Sequence, residues 1–394
     1  MLPAIPLALV ALSLAAQPLT FADALARAEQ RNPELVPLQL AVPQAEADAQ
    51  AAGAMPNPTF SFSVGPDEPT VFGAVDQKLP IFGQRSSAIA AGRAQVPIAE
   101  GELAARKLQL RAEVRRSYHA LAAAQAQLGL AEETARLSGE IADMTAKKFE
   151  VGSAPQLDVE QADLARKRAV QDLEDRKAAL SSARIRLAAS LGEDPEAELE
   201  ASDPLVPLPQ VASLSDLLGR AGQHPEVQVA EREREAALAR ARREKLSLVP
   251  APSLSLEVEH LGNPPGVGVR GGLAFDLPLL SWNGGAIRSE ELQADRAVAR
   301  GMAARRRLAA AARESWSRWE AAVRRVRFAA DQLVPSAQKV AQLARVGYDV
   351  GRTPLANVVL AESEVAATRS RAIEAAAEAW SALADLEEAV GAIP

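Results

Sequence analysis

The chain of 394 residues has no cysteine, three histidines and an aromatic content of only 4%. The absence of cysteine excludes disulfides, thiolate metal sites, cysteine nucleophiles and a lipidated N-terminal cysteine. No two of His119, His224 and His260 are three or four residues apart, so no metal site built from several histidines is predicted. Few aromatic residues together with alanine-rich segments favour long, closely packed helices over a sheet-built domain.

The charged residues are nearly balanced, with 44 Lys and Arg against 51 Asp and Glu and a formal net charge of -7. No segment is dominated by basic residues, so nucleic acid is not expected as a partner. The sequence contains no G-x-S-x-G, P-loop or H-E-x-x-H motif. It therefore predicts no catalytic residues, no cofactor site and no metal site, and an enzyme is not expected.

Residues 1–16 form an apolar run, MLPAIPLALVALSLAA, which ends in small residues and is followed by the polar Gln17. This pattern predicts a secretory signal peptide that is cleaved near Ala16. Two features depart from an ordinary signal, because no lysine or arginine precedes the run and because Pro3 and Pro6 interrupt it. An N-terminal segment buried in the fold is the alternative interpretation.

The rest of the chain has the pattern of a duplication, because similar stretches recur in the same order at nearly constant spacing. The pairs are DALARAEQRNPEL from Asp23 with DLLGRAGQHPEV from Asp216, MPNPTFSF from Met55 with VPAPSLSL from Val249, KLPIF from Lys78 with DLPLL from Asp276, and FEVGSAPQLDV from Phe149 with YDVGRTPLANV from Tyr348. Ordered recurrence of this kind indicates internal repeats. We expect a first repeat over 17–200, a linker over 201–211 and a second repeat over 212–394.

Each repeat carries a pair of predicted strands, over about 58–82 and about 252–280. In the first repeat Phe60, Phe62 and Val64 alternate with serine, and a Pro/Gly turn separates this strand from the next. Apolar residues on one face and small or polar residues on the other are typical of strands that face lipid outside and water inside. A soluble hairpin packed on a helix would show the same alternation, so the pattern alone leaves both interpretations open.

Long helical hairpins are predicted over about 84–190 and about 284–390. No proline occurs between Ile98 and Ala154, and leucines recur every seven residues at 173, 180 and 187, as in a coiled-coil seam. Each long helix ends at a turn that contains glycine and proline, over 151–155 and 350–354. The predicted fold class is mainly α with a small β part, in which a duplicated unit joins a β-hairpin to a long coiled-coil hairpin.

The order of these elements, the stretches Asn32-Pro-Glu and Leu79-Pro-Ile-Phe-Gly83, the paired Val-Gly turns and the two-fold repeat resemble the TolC-type outer membrane efflux protein family. The resemblance covers nearly all of the chain after the predicted signal. Residues 79–85 look closest to the heavy-metal, cobalt-zinc-cadmium type branch. The resemblance implies a homotrimer in outer membrane lipid, in which each protomer gives four strands to one twelve-stranded transmembrane β-barrel and the helices form a periplasmic tunnel.

The same resemblance implies a function and partners. The chain would be the outer membrane channel of a tripartite efflux or secretion system, a passive export duct without a cofactor. It would dock through a periplasmic adaptor (membrane fusion) protein to an inner-membrane pump. The cargo stays open, because heavy-metal ions, drugs and secreted polypeptides all use such ducts. The rival interpretation is a soluble periplasmic adaptor or coiled-coil scaffold without a membrane barrel, but adaptors have one helical hairpin rather than two in tandem.

The resemblance assigns roles to named residues by position. The hairpin tips that meet the adaptor correspond to Val151 and Gly152 in the first repeat and to Val350 and Gly351 in the second. Glycine at such a tip lets another backbone approach closely, although it also serves simply to end a helix.

A tunnel gate is expected near the same tips. In the family, a tyrosine three residues before the second glycine bonds an aspartate six residues after the first, which implies a bond between Tyr348 and Asp158 here. Asn357 stands where the family has a carboxylate, so a charged ring of gate residues is not established. Asp158 either supplies carboxylates to the gate or is a charge at a helix N-terminus. Phe82 and Trp282, where strands meet long helices, are the expected membrane-interface anchors.

Overall fold

The computed structural model describes residues 18–66, 69, 71–262, 265–278 and 282–391 of the chain. The predicted signal peptide, residues 1–16, lies outside these residues. The backbone divides into two compact units. The hairpin unit comprises the residues up to Pro33, Lys107–Gly219 and the residues from Ala309 onward, and the sheet unit comprises Glu34–Arg106 and Arg220–Leu308.

Regular elements account for most of the described residues. In chain order they are β1 (Pro18–Leu19), α1 (Phe21–Arg31), α2 (Val36–Ala52), β2 (Thr59–Val64), β3 (Val71–Lys78), α3 (Gln84–Arg93), α4 (Val96–Glu150), α5 (Gln156–Leu191), β4 (Glu200–Ala201), α6 (Leu214–Arg220), α7 (Pro225–Leu246), β5 (Pro252–Gly262), β6 (Pro265–Phe275), α8 (Gly284–Phe328), α9 (Val334–Asp349) and α10 (Leu355–Val390). Helices α4 and α8 contribute residues to both units.

Two helical hairpins, α4 with α5 and α9 with α10, form the larger part of the hairpin unit. Helix α4 runs for 55 residues, because its one proline, Pro97, lies in the first turn, where a missing N–H breaks no intrahelical bond. Before α9 the helix widens into a five-residue π-helix, Ala329–Leu333. Pro335 lies in the first turn of α9, and the wide turn before it accommodates a ring that would clash with a regular helix.

Alanine fills much of the core between these helices. One cluster joins Ala322 and Trp319 of α8 to Ala379, Ala382 and Leu383 of α10. Small side chains facing one large side chain allow close packing of neighbouring helices without voids. The alanine content therefore allows close packing of these helices, as the alanine-rich segments of the sequence predict.

A four-stranded antiparallel sheet is the centre of the sheet unit, with strand order β2-β3-β5-β6. The register places Phe62 opposite Gly73, Gly73 opposite Val258, and Val258 opposite Val269. Residues opposite one another share a face, so the alternating apolar residues of the strands lie together on one side of the sheet. The predicted fold class, mainly helical with a small sheet part, is confirmed.

Ion pairs line the contact between α7 and α8 within the sheet unit. They join Arg240 to Glu290 at 2.8 Å, Lys245 to Glu291 at 2.9 Å, Arg300 to Glu233 at 3.1 Å, Arg305 to Glu231 at 2.6 Å, and Arg307 to Glu226. All of these pairs except Arg240 with Glu290 are largely exposed, and exposed pairs contribute about 0–1 kcal/mol each. Their main effect is therefore to fix the alignment of the two helices.

In the described part of the chain, no helix combines the length and the apolar character that are needed to cross a bilayer.

Candidate functional site

The two hairpin tips have the same backbone design. Tip 1, residues 151–155, joins α4 to α5, and tip 2, residues 350–354, joins α9 to α10. Gly152 and Gly351 adopt φ of 69° and 72°, a left-handed conformation that favours glycine. In each tip the N–H three residues beyond the helix end donates to a carbonyl five residues back, from Ser153 to Lys148 at 2.8 Å and from Arg352 to Gly347 at 2.8 Å. This is a Schellman termination.

The tips present apolar side chains to solvent. Val151 is 78% exposed and Val350 is 63% exposed. A Cβ at Gly152 or Gly351 would meet no atom within 4 Å, so the surface around both glycines is open. The four predicted adaptor-contact residues therefore lie at accessible turn positions. Their role in docking stays a prediction.

Tyr348, at the end of α9, is buried in the hairpin unit. It packs in a cluster with Ile141 of α4 and with Leu355 and Val358 of α10. The Lys148 ammonium nitrogen lies 4.0 Å from the centroid of the Tyr348 ring. The cluster beside the tips thus joins residues of three helices, α4, α9 and α10.

The hydrogen bond predicted between Tyr348 and Asp158 is not formed in this structure. The Tyr348 hydroxyl is buried and has no hydrogen-bond partner among the described residues. Asp158 is half-buried in the first turn of α5, and its N–H donates to the Pro155 carbonyl at 3.0 Å. A carboxylate in this turn interacts favourably with the helix dipole. The packing of Tyr348 into the cluster therefore replaces the bond that the resemblance implied.

Asn357 occupies the matching place in the first turn of α10. Its N–H donates to the Pro354 carbonyl at 3.1 Å, and the residue is exposed. Leu360, one turn further along, is 68% exposed. The exposed surface of α10 next to tip 2 is thus uncharged at these two positions, and the gate role of Asn357 stays a prediction.

The four-stranded sheet has one apolar and one charged face. The apolar face exposes Phe60 (74%), Phe62 (74%), Val267 (69%), Val269 (69%) and Leu273 (68%). On the opposite face Arg270 forms ion pairs with Glu257 at 3.4 Å and with Glu259 at 3.3 Å. A hairpin packed against a soluble core would bury its apolar face, so these exposures oppose the soluble interpretation.

Two aromatic residues predicted as interface anchors lie next to this sheet in sequence. Phe82 is 52% exposed, and its N–H donates to the side-chain oxygen of Gln84 at 2.9 Å. Trp282 is 75% exposed and precedes α8. Both side chains are available to a lipid interface, and the anchoring role stays a prediction.

The hairpin unit also contains a buried polar cluster that the sequence patterns did not predict. The Arg115 guanidinium of α4 pairs with Glu387 of α10 at 2.8 Å, and it also lies 4.3 Å from the centre of the Phe21 ring. His119, one turn along α4, stacks on Trp380 of α10 with ring centroids 3.7 Å apart. The only available signal was the placement of Arg111, Arg115 and His119 at intervals of four on an otherwise apolar helix face.

Burial determines the protonation of this cluster. Burial, together with the nearby Arg115 charge, lowers the pKa of the His119 imidazole to about 3. Burial also raises the pKa of the Glu387 carboxyl, although the charges of Arg115 and Arg111 oppose this shift. His119 is therefore a neutral, stacked ring at physiological pH.

The described residues hold no group of three or more histidine, aspartate and glutamate side chains that is arranged for a metal ion. Gly266, Gly268 and Gly271 have the spacing of a dinucleotide-binding turn, but they lie within strand β6. Such a turn must join a strand to a helix N-terminus, so this spacing does not form a nucleotide site.

The sequence of the chain matches a known protein family twice. The model of the outer membrane efflux protein family matches residues 24–193 and again residues 220–392. The chain therefore belongs to the outer membrane efflux protein family. Membership places it in the outer membrane as a component of an efflux channel, and the predicted localisation is confirmed. No curated protein matches the sequence.

Solved outer-membrane channels share the fold. VceC of Vibrio cholerae matches with a TM-score of 0.76 at 18% identity, over 94% of this chain and 96% of that one. The CmeC outer membrane channel of Campylobacter jejuni matches with a TM-score of 0.78 at 14% identity, over 94% and 85%. CusC matches with a TM-score of 0.73 at 21% identity, over 94% and 92%. At these identities the similarity shows the fold alone.

Proposed function

We propose that the chain forms a passive trimeric export duct, the outer membrane part of a tripartite efflux or secretion system. The observation that carries the proposal is the two-faced sheet, whose exposed apolar face fits lipid and whose charged face fits a water-filled lumen. Export is directed by residues 1–16 in this proposal. The repeats are residues 17–200 and 212–394, joined by the linker 201–211, in agreement with the two matches to the family model.

The edges of the sheet support a trimer. Strands β2 and β6 are the edge strands of the sheet. In hydrocarbon, each unpaired backbone group on an edge costs several kcal/mol. Pairing of β6 in one protomer with β2 in the next satisfies both edges, and three copies of four strands give the twelve-stranded barrel that the family resemblance implies.

The tips support docking to a periplasmic adaptor. Exposed Val151 and Val350 offer apolar contact area, and Gly152 and Gly351 allow the partner backbone to approach closely. The adaptor then connects the duct to an inner-membrane pump. In this proposal the pump selects the cargo, and Phe82 and Trp282 anchor the duct at the membrane interface.

We propose heavy-metal ions as the cargo, because residues 79–85 are similar to the heavy-metal branch of the family. Deletion of the gene should sensitise the native host to cobalt, zinc or cadmium ions and leave its tolerance of apolar drugs unchanged. The reverse pattern of sensitivity would reject the metal cargo without affecting the duct itself.

The duct is tested with protein extracted in detergent. A stable trimer that gives steady conductance in planar lipid bilayers supports the proposal. A monomer that stays in solution without detergent would overturn it and would favour the adaptor or scaffold interpretation.

A further inference from the structure

Lys148 lies in the last turn of α4, beside tip 1, but its ammonium group contacts the end of α9, beside tip 2. The nitrogen lies 4.0 Å from the centre of the Tyr348 ring and 3.8 Å from a carboxylate oxygen of Asp349. These contacts connect the two helices immediately before their glycine turns. Any movement that separates the two tips has to break them.

The aromatic contact is the stronger of the two. The Tyr348 ring is buried against Ile141, Leu355 and Val358, so the ring face that meets the cation is shielded from water. Cation–π attraction increases when the partners are desolvated. The Asp349 side chain is 62% exposed, and an ion pair of that kind is weak and screened by salt.

The Tyr348 hydroxyl contributes nothing to this connection. It has no hydrogen-bond partner among the described residues, and the contact with Lys148 is made by the ring. A phenylalanine ring would offer the same kind of face to the ammonium group. Replacement of Tyr348 by phenylalanine therefore distinguishes a contact made through Lys148 from one that depends on the tyrosine hydroxyl.

We propose that Lys148 is an intraprotomer latch, which holds the two hairpin tips together by seating its ammonium group on the Tyr348 ring. The latch rests on the proposed duct, because it regulates the end of that duct. It is weak enough to be reversible, since the half-buried ammonium group regains full hydration when the tips separate. A partner that binds the exposed valines of both tips could therefore open it.

The test compares single-channel conductance of purified variants in planar bilayers. Lys148→Ala should raise the ratio of open to closed time about fivefold, the size expected from loss of one half-buried cation–π contact. Lys147→Ala is the matched control, because Lys147 is the neighbouring residue on the same helix turn and is exposed. It should behave as the wild type does.

Three further variants identify the chemistry. Lys148→Arg should retain wild-type gating, since a guanidinium group also stacks on aromatic rings. Tyr348→Phe should leave gating unchanged, and Asp349→Asn should change it less than Lys148→Ala does. The latch is overturned if Lys148→Ala and Lys147→Ala behave alike, or if Tyr348→Phe opens the channel as far as Lys148→Ala.

A cross-link gives a second, independent measurement. The natural chain has no cysteine, so cysteines placed at 148 and 349 are the only thiols. A short reversible thiol cross-linker between them should lower conductance, and reduction should restore it. Unchanged conductance after complete cross-linking would reject the latch. A wild-type protein that gives no conductance in any preparation would instead reject the duct, which distinguishes the two failures.

Discussion

The Tyr118 hydroxyl donates a hydrogen bond to the Leu19 carbonyl at 2.7 Å and joins the start of the described chain to α4. The same oxygen accepts the N–H groups of Ser202 at 3.2 Å and Asp203 at 3.0 Å. Strands β1 and β4 pair with each other in parallel. One phenol therefore connects β1 and the two residues that follow β4 to the same helix. The start of the segment between the repeats is thus hydrogen-bonded to α4 of the hairpin unit.

Tyr118→Phe should lower the free energy of unfolding by about 1–3 kcal/mol, because it leaves the Asp203 N–H without its acceptor, whereas the Leu19 carbonyl still accepts the Ser202 N–H at 3.0 Å. Tyr348→Phe is the matched control, since the chain has only these two tyrosines and the Tyr348 hydroxyl has no partner among the described residues. Thermal unfolding followed by circular dichroism compares them. Equal losses in both variants would contradict the role of the phenol in this contact.

The His119 ring should make stability depend on pH. Its pKa is lowered to about 3 in the folded chain, against about 6.5 when unfolded, so the unfolded chain binds more protons between these values. This contribution to stability is complete above pH 6.5 and falls by about 1.4 kcal/mol for each unit as the pH decreases towards 3. His119→Phe should flatten that dependence while keeping the stack on Trp380.

The measurement is the denaturation midpoint of wild type and variant between pH 4 and pH 7. Protonation of Glu387, whose pKa is raised by burial, acts in the opposite direction, but it is present in both proteins. His260→Asn is the control, because His260 is an exposed residue on the sheet. A pH dependence equally steep in His119→Phe and wild type would show that another group causes it.

The two faces of the sheet should respond differently to a new charge. Leu256 and Ser255 are neighbours on β5, and Leu256 belongs to the apolar face while Ser255 lies opposite Asp76 on the other. Leu256→Lys should cost about 2–4 kcal/mol near the middle of a bilayer and reduce the amount of trimer in outer membranes. Ser255→Lys should be tolerated, and equal trimer yields would contradict the assignment of the faces.

Helices α4 and α7 approach closely at Gly101, so a larger residue at this position should destabilise the fold. A Cβ at Gly101 would lie 2.6 Å from the nearer methyl of Val229, whereas a Cβ at Gly129 of the same helix would meet nothing within 4 Å. Gly101→Ala should therefore lower the unfolding temperature. Gly129→Ala should raise stability by about 0.5–1 kcal/mol, because alanine is the better helix former. Unfolding temperatures in the same direction for both would contradict this packing.

Local patterns in the sequence were sufficient for the elements and for the fold class. The alternation of Phe60, Phe62 and Val64 predicts a strand, and β2 spans Thr59–Val64. The glycines at 152 and 351 predict helix ends, and α4 and α9 end at Glu150 and Asp349. Both features depend on neighbouring residues, because alternation and left-handed turns are properties of short segments.

Contacts between distant segments could not be predicted in this way. The pair of Arg115 with Glu387 joins positions 272 residues apart, and the two-residue pairing of β1 with β4 has no pattern long enough to detect. The hydrogen bond expected between Tyr348 and Asp158 is absent here for a related reason. Transfer by position placed Tyr348 next to Asp158, but the rotamer of a side chain depends on its packing, and here the ring turns towards Lys148.

The π-helix at Ala329–Leu333 keeps two stretches of helix in phase with the same neighbour. The buried positions 312, 319, 322 and 329 recur at helical intervals, and beyond the wide turn the buried series resumes at 341 and 348, shifted by about one residue. Conversion of the wide turn to regular α-helical hydrogen bonding, with all its residues kept, would rotate all of α9 by about 100°. Tyr348 would then leave its cluster. The hydrogen-bonding pattern of this short segment thus determines the direction in which a side chain near tip 2 points, so loss of the wide turn, far from the tip, would be felt there as a rotation.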